Sequence, residues 1–169
     1  MADLNENLLD WLRDAHAMEH QAEQMLRAQS SRLENYPDLK ARIDQHLEET
    51  LGQQKLVAGC IERLGGSTST IKDLTAKFMA FGQAAGGMAM SDEVVKGSIM
   101  SYVFENLEIA SYTSLIAAAE LAGDEETKRA CEQILPQEIA MARWLLDHIP
   151  GVTHAFLRRS ATPGETAKR

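Results

Sequence analysis

Glu105 and Glu108 stand three residues apart in "SYVFENLEIASYTSLIAAAELAG", residues 101–123, a stretch otherwise rich in Val, Phe, Leu, Ile, Tyr and Ala. Acids on the apolar side of a helix need compensation, because a lone buried carboxylate protonates or finds a partner. The same anomaly recurs along the chain. Glu19 and Glu138 also fall on apolar seams, and Glu49 follows His46 by three residues, so that pair shares one helix face. Glu19, His46, Glu49, Glu105, Glu108 and Glu138 therefore come from four separate apolar segments, each near its segment's midpoint. Brought to one level in a bundle, these donors would repel one another until one or two divalent cations neutralised them. Carboxylates with a single imidazole suit iron or manganese, and zinc can enter such a site by affinity.

Plainer roles exist for each residue. A seam acid can turn to a bundle end or pair with Arg27, Arg42 or Lys55, and His46 alone can be a hydrogen-bonded core histidine. Tyr102 and Tyr112, one turn to either side of the acids, read as packing residues, and the methionines as core filler. Cys60 and Cys131 lie in different segments with no CxxC spacing and read as small buried apolar side chains.

Four segments must position the donors. Residues 3–34 carry Leu8, Leu12, Ala15, Glu19, Ala22, Leu26 and Leu33 on steps of four and three, which predicts a helix. "NYPD" at 35–38 is a turn with Pro37 placed to open the next helix. That helix, 37–64, repeats the spacing through Leu39, Ile43, His46, Thr50, Gln53, Val57, Cys60 and Leu64 and stops at Gly65-Gly66. After it the pattern breaks over residues 65–92, where a short helix is expected at 71–81 inside a long connection. A third helix is read over 91–121, with Ser91 as its N-cap and its seam through Val95, Ser98, Tyr102, Glu105, Ile109, Tyr112, Ile116 and Ala119. The fourth runs from Asp124 to a stop at Pro150-Gly151, along Cys131, Ile134, Glu138, Met141, Leu145 and His148, bent near Pro136.

These segments predict an all-α four-helix bundle over residues 1–149: two antiparallel hairpins joined by a long crossover, with a partly flexible tail at 150–169. In that tail the piece 155–157 should dock and residues from Ser160 onward should fray. The composition agrees, since 169 residues suit one domain and the chain is rich in helix formers, with aromatics only 5%. Lys and Arg total 17 against 25 Asp and Glu, a formal charge of -8 that argues against nucleic acid or anionic lipid as partners. There is no secretory leader pattern and no apolar run of about 18 residues, so a soluble, cytoplasmic protein is expected.

"LRDAHAMEHQ", "HLEETLGQ", "FENLEIASY" and the acid in "QEIAMARWL" together resemble the DUF892 family of ferritin-like, stress-associated proteins. The resemblance spans about residues 4–149. It implies a ferritin-like bundle, usually a homodimer, with a carboxylate-bridged metal site related to that of rubrerythrins. By position it implies Glu19 as the ligand of the first helix, Glu49 as a bridging acid with His46 beside it, Glu105 and Glu108 as paired acids, and Glu138 as the ligand of the fourth helix. Two irons are the implied occupants. The Glu-x-x-His signature common in such folds is missing, since Glu49 precedes Gly52 and Glu138 precedes Met141, which leaves two ions, one or none open. Three functions follow: a di-metal oxidoreductase acting on dioxygen or peroxide, a non-catalytic metal-binding bundle, or a structural stress module. "HAFLRR" and the Met-rich crossover are the candidate dimer contacts.

Overall fold

Steps of four and three along the chain become four long helices. The computed structural model describes residues 3–68 and 90–168, in which they are α1 (Leu4–Ser30), α2 (Pro37–Arg63), α3 (Glu93–Ala122) and α4 (Glu125–Ala161). No strand occurs among the described residues, and the short helix expected at 71–81 lies outside them. Local chemistry sets the ends. Glu6 reaches back to accept from the Asp3 backbone N–H at 3.2 Å, Pro37 stands in the first turn of α2, and α3 is capped by Asp92 rather than Ser91. Gly123 turns the chain at φ 70°, a left-handed conformation that suits glycine. Asp124 then accepts from the Thr127 backbone N–H at 3.1 Å to open α4.

Two apolar clusters fix the directions of the helices. At one end, Leu8 and Leu12 from the start of α1 pack with Val57 and Ile61 from the end of α2, Leu115 and Ala119 from the end of α3, and Cys131 and Ile134 from the start of α4. At the other, Leu26, Leu39, Ile43, Val94, Met141 and Leu145 meet. Helices α1 and α4 thus run one way and α2 and α3 the other, and each helix neighbours two others around the ring α1, α2, α4, α3. The connection between residues 68 and 90 joins opposite ends of the bundle, which is the crossover topology of ferritin-like folds. Between the two clusters lies a buried polar layer, and it contains Glu19, His46, Thr50, Gln53, Glu105, Glu108 and Glu138.

Four sequence expectations are corrected. The inward face of α3 is Val94, Ser98, Ser101, Glu105, Glu108, Tyr112, Leu115 and Ala119, so the seam leaves the expected line at Val95, Tyr102, Ile109 and Ile116. Helix α4 does not close at Pro150 but continues to Ala161, because Val152, Ala155 and Phe156 pack on the second apolar cluster. That packing offsets most of the cost of a helix-interior proline, about 3 kcal/mol. His148 faces solvent, where its ring stacks on Trp144 at 3.8 Å between centroids. The tail also stays with the bundle beyond Ser160: the buried Tyr36 hydroxyl donates to the Ala167 carbonyl at 2.6 Å, and Arg159 pairs with Glu165 at 3.2 Å.

Candidate metal centre

His46 reaches the centre because it lies on the buried line of α2, and it is 1% exposed. Its Nε2 points across to Glu105 Oε2 of α3 at 3.1 Å and to Glu138 Oε2 of α4 at 3.4 Å. Its Nδ1 faces Glu49 Oε2 at 2.7 Å. Glu108, one turn beyond Glu105, joins from α3. One donor atom from each of His46, Glu105, Glu108 and Glu138 falls within 4.8 Å of the others, and all four side chains are buried.

Glu19 and Glu49 occupy different places. Glu19 is fully buried on α1 beside the four, close enough to Glu138 and Glu105 for their charges to act on it, and the Tyr112 hydroxyl donates to its Oε1. Glu49 stands behind the imidazole at the half-exposed edge of α2. Besides His46 it accepts from Gln45 Nε2 at 3.0 Å and pairs with Arg42 at 3.4 Å, so it orients His46 from outside the group of four. A ligating histidine whose second nitrogen is held by a carboxylate has a fixed ring orientation and a more basic donor nitrogen.

Electrostatics mark the layer as unfinished. Burial, then the charges of Glu138, Glu19 and Glu105, push the Glu108 carboxyl well above its ordinary range. Burial and the Glu138 charge do the same to Glu19. The Glu105 carboxyl rises to about 7, burial outweighing the pull of His46. Burial alone would lower His46, but Glu105 and the hydrogen bonds around the ring hold its imidazole well above the usual value. Oε2 of Glu19 and of Glu108 are buried without a hydrogen-bond donor, and Oε2 of Glu105 and of Glu138 share the single Nε2 of His46. If ionised, four carboxylates face one imidazolium. Orphaned anionic oxygens around a single nitrogen are a hard, oxygen-rich shell, and that donor set fits a divalent cation.

Two residues do more than the sequence reading assigns them. Tyr112 was read as packing, yet its hydroxyl holds Glu19. Gln53 was placed on the α2 seam without a role, yet its amide donates to Glu138 Oε1. A polar seam residue two turns from His46 was the available signal for Gln53.

Comparison with known proteins agrees with this architecture. The chain matches the family profile described as "Domain of unknown function (DUF892)" over residues 3–158. A crystal structure of a protein from Xanthomonas campestris pv. campestris is 46% identical and superimposes with a TM-score of 0.81, covering 95% of this chain and 100% of that one. The stress protein YciF of E. coli gives a TM-score of 0.72 at 20% identity, with 89% of this chain and 97% of that one covered. A dodecameric thioferritin of Bacteroides fragilis, described as bacterioferritin-related, gives 0.68 at 16% identity over 94% of this chain and 92% of that one. The last two are likenesses of fold. No helix among the described residues is long and apolar enough to cross a membrane.

Proposed function

The chain belongs to the DUF892 family, and on that premise we propose that it is a cytoplasmic, carboxylate-bridged metal protein of the bacterial stress response, a homodimer holding two irons. The observation that carries this reading is the convergence of His46, Glu105, Glu108 and Glu138 within 4.8 Å in the bundle core, with orphaned carboxylate oxygens. These four residues would hold the metal, with Glu19 as the further acid of the same layer and Glu49 supporting His46. Manganese or zinc suits the same donors less selectively. The stress assignment draws on the name of the E. coli protein of like fold.

Bound iron would supply redox chemistry toward dioxygen or peroxide. The chain's own residues prepare for it. Glu105 and Glu108 surrender protons on loading, so uptake is proton-coupled. Tyr112 holds Glu19 by its hydroxyl, which leaves Oε2 of that acid free. Two apolar clusters close the layer from above and below and keep bulk water from it.

A second reading has its own support. The four donors are 3% exposed or less, and that closure suits a bundle that holds metal without turnover. Elemental analysis of protein produced with iron tests the common part: about two irons per chain are expected, and Glu108→Ala should lose them. Iron-loaded protein that consumes hydrogen peroxide with turnover supports the oxidoreductase; loaded protein that does not supports the holding role. Metal content equal in the wild type and Glu108→Ala would remove the ligand assignment.

A further inference from the structure

Gln53 brings a neutral amide into a layer otherwise dominated by acids. It lies on α2, two turns after His46, and is 1% exposed. Its Nε2 donates to Glu138 Oε1 on α4 and, at 2.9 Å, to Gln137 Oε1, so both N–H bonds are used. Its own Oε1 is buried without a partner. The amide cannot be turned over, since that would set a carbonyl oxygen against the Glu138 carboxylate. Tied at Oε1, Glu138 has only Oε2 to turn toward His46 Nε2.

We propose that Gln53 is a positioning residue of the metal centre: its side-chain N–H fastens Glu138 Oε1, so that this acid offers a bound divalent ion one oxygen instead of two. The inference rests on the metal-holding reading above. Because the bond runs from α2 to α4, it sets Glu138 relative to His46, which rides on the same helix as Gln53. A carboxylate at position 53 would add to the repulsion, and an apolar side chain would free Oε1 to chelate. The amide avoids both and adds no charge.

Cobalt(II) is a suitable probe, because its visible absorption reports coordination number. The full chain is prepared metal-free as wild type, Gln53→Met and Gln53→Leu, with circular dichroism confirming helix content. Wild type should bind cobalt, and both variants should bind it about 10–100-fold more weakly. Their absorption should also be weaker and shifted, as Glu138 closes on the ion with two oxygens. Variants matching wild type in affinity and spectrum would overturn the role of Gln53 and leave the metal reading intact, whereas wild type that takes up no cobalt would overturn both. A measurement without a variant backs this one up. In zinc-loaded wild type the Gln53 side-chain amide protons should stay protected from solvent exchange, and their loss of protection on loading would overturn the proposal.

Discussion

Glu108 is where folding and function pull hardest in opposite directions. Its carboxyl is 1% exposed among three other acids, so without metal its charge is a cost to the fold. Glu108→Gln should therefore raise the stability of chelator-treated protein at pH 8 by about 1–3 kcal/mol while abolishing tight metal uptake. Thermal melts with and without metal check both halves, and an equal loss in each would mean that the acid is structural. The titrating groups give a related expectation for the metal-free protein. Glu105, raised from 4.5 to about 7, and His46, raised above 6.5, both retain protons when folded that the unfolded chain has released. Because the folded state then binds more protons, stability falls as pH rises from about 5 to 8, by about 1.4 kcal/mol per unit for each proton withheld. On the acid side, Glu49, Asp44 and Asp124 are held low by their partners despite partial burial, and they withdraw stability as pH drops below about 4. The metal-free optimum should lie near pH 5, and added metal should move it upward; melts across pH show whether it does. Glu49→Ala should leave the fold intact yet weaken metal binding by about 10–100-fold, through loss of the carboxylate that orients His46.

At the scale of helices, much of the site was legible because burial imposes a period. The seams of α1 and α2 match their expected lines through Glu19 and His46, since polar and apolar faces alternate cleanly there. Helix α3 was harder to phase. It is apolar on its outer face as well, with Ile99, Val103 and Leu107 exposed, so hydrophobicity alone did not point to one side. The period also put Glu49 close to the layer but could not show that Arg42 and Gln45 draw it to the edge. Prolines misled for a different reason: Pro150 is a local stop signal, whereas the docking of Phe156 on Leu145 and its neighbours is a long-range gain. That gain has a measurable size. Ending the chain at Ile149 removes the packing of Val152, Ala155 and Phe156 and the Tyr36–Ala167 bond, worth about 3 kcal/mol together. The melting temperature should drop by roughly 6–12 °C with helix content otherwise kept, and an unchanged value would show that the extension is dispensable.

At the scale of the whole molecule, a chain of charge -8 leaves the outward side of α3 almost uncharged among the described residues. Between Gly97 and Ala119 the charged residues are Glu105 and Glu108 alone, and both point inward. Outward, Ile99, Val103 and Leu107 follow one another by four residues at 43%, 43% and 37% exposure. An uncharged apolar stripe of this kind suits self-association about a two-fold axis. Ala155 and Phe156 of "HAFLRR", by contrast, serve the chain's own core. Light scattering should find a dimer that Val103→Glu with Leu107→Glu converts to monomer without loss of metal, and a monomeric wild type would refute it. The proposed chemistry depends on metal lying where the acids meet. Diffraction at the iron edge from iron-loaded crystals tests this most directly: the account predicts anomalous density enclosed by His46, Glu105, Glu108 and Glu138, and density confined to surface carboxylates, or none, would contradict it.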